Sequence, residues 1–508
     1  MEEKYEHLGA DGYALPPEVP RREYPIGGRE WAFALLSLIC GLLLCNFVLF
    51  GGFNLGFAVG MILNLLTIAG YLRSRGCRLR PYSGLLLGLS LIISGGFARS
   101  EDGFVKFVMV CFLFVGVNLG LTTLAGKNRR AAAGFSSLAD VFYTAFARSF
   151  QLDGSFYGLR TAFRKSGAAA KKGGAIALGM LAALPLVLVM VFLLMRADAA
   201  FEGLVDRLPD FRVRELVPTV LFGGMLFCLS FTKGLALAHQ PGGEAAGKNK
   251  KGISSLTVNT VLIAVCGLYL VYLFSQLAYF AGGLAGFLPE GYTMADYARR
   301  GFFEMAWLCA INLGILGLSI GLVGKKPGVP VLTKVLCLFI SLITVFFVVA
   351  ASGKMFLYIG AYGLTRLRVL TQVIMLFLCL TTVFVALWIL APEFPYMKAV
   401  ILAGMIIGAV VFWADMDTVV ARYNVNAYLS GKLESVDMAH LSDLGPAAIP
   451  YIGALAEKAP DAFVRNQAKD ILENTWYSQP EDFRGWNYSL SEAKDFLPAT
   501  VGNDQDWD

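Results

Sequence analysis

Three short stretches carry most of the polar chemistry in this chain. In "RADAAFEGLVDRLPD" (196–210), Asp198, Glu202 and Asp206 recur every four residues, so a helix there aligns three carboxylates on one face. In "YARRGFFEM" (297–305), Tyr297, Arg300 and Glu304 share a face and Arg299 lies to one side. In "LYIGAYGLTRLRVL" (357–370), helical spacing aligns Tyr362 with Thr365 and Arg366, while Arg368 faces elsewhere. A row of carboxylates suits acid–base work or pairing with cations, and guanidinium groups hold carboxylate or phosphate through two parallel hydrogen bonds. Every one of these stretches borders a long apolar run. The elements that position them are therefore expected to be membrane helices.

Composition agrees. The chain has 508 residues, 56% hydrophobic and only 16% charged, against roughly 45–50% apolar and 25% charged in soluble domains. An apolar stretch of about 18 residues suffices to cross the hydrocarbon core. Eleven such spans are expected, at 31–50, 54–72, 83–98, 104–125, 175–195, 216–236, 256–280, 303–323, 331–351, 369–391 and 397–414. "GGFN" (51–54) splits the first two into a hairpin. The fold class that follows is all-α: a polytopic membrane protein with a small helical soluble module at its C-terminal end.

Five pieces organise the chain: a charged, proline-dotted tail at 1–29, a four-span block at 30–125, a basic segment at 126–173, a seven-span core at 174–414 and a helical module at 415–508. No cleavable leader is expected in the first piece. In the third, Phe142, Phe146, Phe150, Phe156 and Phe163 interleave with Arg148, Arg160, Arg164 and Lys165. That pattern suits a helix in the headgroup plane, its cations on anionic lipid. With the N-terminus inside, inner loops carry twenty lysines and arginines and outer loops eleven. This bias places the module outside the cytoplasm. Pairs of glycines four apart (84/88, 116/120, 317/321, 404/408) are expected to let helix backbones approach. Asn64, Asn118 and Asn312 are expected to bond across helices.

Several chemistries are not expected. Nine cysteines, none after Cys379, form no disulfide framework in the module, and neither CxxC nor a Cys/His ligand pattern occurs. HExxH and a phosphate-binding GxxxxGK[ST] loop are likewise missing from the sequence. No metal, no cofactor, no catalytic set and no nucleic-acid partner is expected; the bilayer is the expected partner, with a protein partner left open.

"RADAAF", "YARRGFFEM", "AYGLTRLRVLT", "DMDTVVARYNVNAYLSG" and "WNYSLSEAKDFL", in that order, resemble the landmarks of a bacterial family of polytopic membrane proteins classified only as a domain of unknown function, over roughly residues 175–495. The resemblance implies a multi-span inner-membrane protein of a bacterium and carries no assigned activity. It also implies that the outer motifs belong together. An asparagine often starts the family's tail helix, where this chain has Asp415 and Asp417. Asp198, Glu202, Asp206, Tyr297, Arg299, Arg300, Glu304, Tyr362, Arg366, Arg368 and Asp415 are accordingly the candidate polar cluster on the outer face, as structural pairs, a ligand site or interfacial anchors. A non-enzymatic carrier or envelope scaffold is the leading expectation. An enzyme acting on an envelope lipid or glycan precursor, and a signalling protein, are its rivals.

Overall fold

The computed structural model describes residue 24 and then 26–128, 140–150, 190, 194, 213–240, 254–284, 302–322, 329–477, 480 and 482–497. Among these, no strand occurs. Ten helices correspond to expected spans: α1 (Gly28–Gly51), α2 (Leu55–Ser74), α3 (Pro81–Gly96), α4 (Gly103–Leu124), α5 (Val213–His239), α6 (Ser255–Leu284), α7 (Phe302–Leu322), α8 (Val331–Tyr362), α9 (Arg366–Leu390) and α10 (Tyr396–Ala414). The eleventh expected span, 175–195, falls outside the described residues apart from two positions, as does most of 126–173. Eight of the ten are long and apolar enough to cross a membrane; α3 and the apolar stretch Glu304–Ser319 are shorter. A backbone inside hydrocarbon must satisfy its own polar groups, which is why these apolar runs are helical.

The chain divides into two compact units. The first comprises Met1–Cys45, Leu66–Cys77 and Thr144–Gln240. There Gly41 and Gly223 let α1 and α5 touch backbone to backbone: a Cβ on Gly41 would lie 2.7 Å from the Gly223 carbonyl oxygen. Phe33 stacks on Tyr71 at 4.1 Å. Buried Glu30 accepts from the Tyr71 hydroxyl at 3.1 Å and pairs with Arg75 at 3.3 Å.

The second unit comprises Asn46–Leu65, Arg78–Tyr143 and Pro241–Asp508. Its helices α3 and α10 run parallel: Lys398 sits 5.5 Å over the Tyr82 ring at one end, and Trp413 Nε1 donates to the Ile92 carbonyl at 2.7 Å towards the other. Antiparallel α4 packs against both, with Gly116 against Met405 and Ser90 and Gly408 against the Phe112 ring, each at 2.5 Å from a hypothetical Cβ. Those glycines, with Gly120 against Leu87, serve close packing. Gly88 and Gly317 do not, because a Cβ there would meet nothing within 4 Å. Polar groups within the spans pair with one another: Tyr269 donates to Asn312 at 2.5 Å, Asn312 to Thr344 at 2.9 Å, and Thr333 to Asn259 at 2.6 Å. Asn118 donates to the Phe114 carbonyl of its own helix.

The eighth helix departs most from its expected length. It continues to Tyr362 rather than stopping near 351, because nothing in "ASGKMFLYIGAY" breaks it before Gly363. At about 1.5 Å per residue it is longer than the ~30 Å hydrocarbon core requires. Beyond α10 follow α11 (Met416–Leu429), α12 (Met438–Asp443), α13 (Ile449–Lys458), α14 (Ala462–Asn474) and α15 (Tyr488–Lys494). Asp437, Asp461 and Asn487 cap α12, α14 and α15 by accepting a backbone N–H in the first turn. Val420, Leu441, Ile452, Leu455 and Ala468 form the module's core, and Leu364 and Val369 from the α8–α9 turn pack against it. The module thus shares its core with the end of the spans.

Candidate polar junction at the span ends

Four chain reversals of the second unit meet the module at one end of its helices. The first is the α3–α4 turn. Asp102 ends it and caps α4, its Oδ1 accepting the Val105 N–H at 2.7 Å. The second is the α8–α9 turn, where Gly363 takes a φ of 73° that glycine adopts without cost. A Cβ there would come within 2.6 Å of Asn424 Oδ1. The closeness has a purpose: Asn424 of α11 accepts the Leu364 N–H at 2.6 Å and donates to the Leu364 carbonyl at 2.8 Å, clasping that peptide unit as a strand neighbour would. Thr365 then caps α9.

Arg366, the first residue of α9, stands at the centre. Its Nε donates to Asp417, one guanidinium nitrogen lies 3.2 Å from Asp102 and the other reaches the Asp443 carbonyl at 3.5 Å. Asp417 is 5% exposed and Asp102 14%, while Arg366 keeps 37% of its side chain in solvent. Burial pushes the Asp417 carboxyl up to about 6; Arg366 opposes that rise, while the neighbouring Asp415 and Asp102 charges add to it. Burial likewise raises Asp415. Loss of water around the carboxylate is the main reason a proton is held more tightly at both residues, and at Asp417 the excess of negative charge around one guanidinium adds to it.

Asp415 joins α10 to α11 with a φ of 55°, a conformation that only asparagine and aspartate among side-chain-bearing residues adopt readily. Its Oδ2 accepts from Thr418 at 2.8 Å and lies 3.3 Å from the Ser489 hydroxyl oxygen. The third reversal is this junction and the fourth the α1–α2 tip, and residues 482–489 lace them to the α3–α4 turn. Tyr488 N–H donates to the Ala98 carbonyl at 2.8 Å, Asn487 Nδ2 to Ser100 at 3.0 Å, Ser489 Oγ to Arg99 at 2.7 Å and Leu55 N–H to the Trp486 carbonyl at 3.2 Å. Arg99 lies 4.8 Å over the Tyr488 ring, and Arg484 donates to Asn46 at 3.0 Å. The Gly51 Cα approaches the Arg484 backbone so closely that a Cβ would sit 2.5 Å from it.

Of the residues singled out from the sequence, Arg366 and Asp415 belong to this junction. Tyr362 and Arg368 form a separate contact at the end of α8. Arg368 donates to the Tyr362 carbonyl at 2.9 Å and to that of Gly363, and covers the Tyr358 ring at 4.3 Å, so it caps α8 by pairing with orphan carbonyls. The expected alignment of Tyr362 with Arg366 on one helical face is corrected: the turn at Gly363 puts them on different helices, with Tyr362 exposed. Glu304 is exposed in the first turn of α7. Asp198, Glu202, Asp206, Tyr297, Arg299 and Arg300 lie outside the described residues. Asp102, Asn424, Asn487 and Ser489 were not singled out. Asp102 had a usable signal, an acidic cap before an apolar run; the other three had none that separates them from surface residues. Among the described residues, no three His, Cys, Asp or Glu are grouped to hold a metal ion.

Long apolar helices whose polar groups pair internally, ending in a helical module clamped to their tips, define an all-α polytopic membrane protein. A family model described as Domain of unknown function (DUF4153) matches residues 82–455, more than half of the chain, and the chain belongs to that family. No curated protein and no solved structure matches it. The matched region includes Asp102, Arg366, Asp415, Asp417 and Asn424; the lacing segment 482–489 follows it.

Proposed function

We propose that this protein is a non-enzymatic membrane scaffold, its spans holding the C-terminal helical module rigidly at one membrane surface. The observation that carries the reading is the junction: one guanidinium bridges a span-end turn and the tail helix through Asp102 and Asp417, with the Asn424 clasp and the 482–489 lacing around it. So many directional contacts resist movement of the module relative to these span ends. The pairing of Asn312, Tyr269 and Thr344 with one another supports a scaffold over a carrier for polar solutes, because those groups are already occupied. The charge bias between loops supports a cytoplasmic N-terminus and a module outside the cytoplasm, and the family resemblance supports a bacterial inner membrane.

Hydrogen exchange on the full-length chain in lipid nanodiscs tests the rigid presentation. Amides of α11 and of 482–489 are expected to exchange as slowly as those of the spans, and Arg366→Gln to release both segments together. Fast exchange of the module in the native chain refutes the scaffold. An impermeant maleimide on intact cells, directed at Asp461→Cys in the exposed cap of α14, checks the side; labelling only after lysis refutes the orientation.

A further inference from the structure

A cleft of about 480 Å³ lies in the second unit between α4, α7, α9 and α10. Its wall follows α9 from Phe377 to Trp388, which is about 16 Å at the helical rise and more than half the ~30 Å hydrocarbon thickness. The lining is almost wholly apolar. Thr381, at mid-depth, spends its hydroxyl on the Phe377 carbonyl of its own helix at 2.8 Å. A water in the cleft would forfeit most of its hydrogen bonds, so the space suits an apolar occupant. Two glycines keep the channel clear: a Cβ at Gly317 would meet nothing within 4 Å, and one at Gly404 would meet only the Phe377 ring, at 3.3 Å.

The two ends differ in chemistry. Trp388 and Tyr396, 4.6 Å apart, close the end beside the 391–395 turn, an aromatic pair of the kind enriched at headgroup level. Lys398, half-buried in the same first turn of α10, is not part of the lining: it lies over the Tyr82 ring of α3 and supplies a cation at that height on the neighbouring face. Exposed Cys111 lies on the rim. The surrounding medium of such a site is lipid, and an apolar channel of this length closed by an aromatic pair, with a cation one helix face away, has the chemistry of an acyl chain and its headgroup.

We propose that this cleft binds one membrane phospholipid, with an acyl chain along α9 and α10 and the phosphate at the level of Lys398. The inference stands apart from the scaffold reading, since the cleft is formed by spans alone.

Full-length chain in nanodiscs containing a trace of phospholipid with a diazirine in one acyl chain tests it. Photolabel is expected to concentrate in 377–388 and 396–405. Gly317→Leu, which fills the channel, should lower that labelling several-fold, and Leu342→Phe, at a position 67% exposed on α8, should leave it unchanged. Even labelling of all exposed apolar positions, or labelling indifferent to Gly317→Leu, overturns the site. A second measurement that leaves Gly317 in place guards against a misfolded variant: with the partly exposed Cys77, Cys228 and Cys379 replaced by serine, a benzophenone maleimide on Cys111 should yield a lipid adduct. Cross-links to residues 175–195 or to a second copy would instead show that protein fills the cleft, and overturn the proposal.

Discussion

Replacing Arg366 with glutamine removes the one guanidinium among the described residues in direct contact with both Asp102 and Asp417. Breaking a buried ion pair by deleting one partner costs about 3–5 kcal/mol, because the other charge stays buried alone. Arg366 is 37% exposed, so water screens part of the loss and about 2–3 kcal/mol is expected. Asp417→Asn breaks the same pair with a different consequence. Its carboxyl sits at about 6 against an ordinary 3.8, which corresponds to roughly 3 kcal/mol favouring the neutral form near pH 7. Removing that charge offsets the lost pair, and the variant should fall within about 1 kcal/mol of the native chain. The double variant should be less damaged than Arg366→Gln alone. The pH dependence follows in sign: the folded state binds the proton more tightly than the unfolded, so the contribution is present below about pH 4 and lost as pH rises through about 6. Asp417→Asn should flatten that slope. Urea titration read by protease cleavage within the module, on nanodisc-embedded protein at pH 4, 5, 6 and 7, measures all three variants. Equal costs for the two single substitutions, or a strictly additive double, would refute the account of crowded carboxylates around one cation.

Three further outcomes are expected. Gly363→Ala should cost more than about 1–3 kcal/mol, since it places a methyl at a positive φ and 2.6 Å from Asn424 Oδ1; Asn424→Ala should cost about 2 kcal/mol through two unpaired backbone groups, and the same denaturation assay reads both. Asp415→Asn should retain folding while Asp415→Val should not, because a β-branched residue tolerates the 55° φ poorly; yield of monodisperse protein in detergent distinguishes them. Gly408→Leu should collapse that yield against Phe112, whereas Gly88→Leu, with nothing within 4 Å, should leave it unchanged.

Span positions were legible from the sequence because lipid imposes a local requirement: a run of apolar residues long enough to cross must satisfy its backbone as a helix wherever it lies in the chain. The start of α4 carries a local signal of the same kind in Asp102, because a cap acts within one turn. Charge partnership is a different matter. Arg366 and Arg368 stand two positions apart with the same side chain, yet one bridges Asp102 to Asp417 and the other caps α8 over Tyr358. Which arginine faces which way depends on where Gly363 turns the chain and on helices contributed by residues more than 260 positions away. Nor does any local pattern tell that Asn487 reaches Ser100, or that Gly317 borders a cleft while Gly408 packs against a ring. Hydrophobicity is a property of each residue and accumulates along the chain, whereas pairing and emptiness belong to positions in space that only the packed helices create.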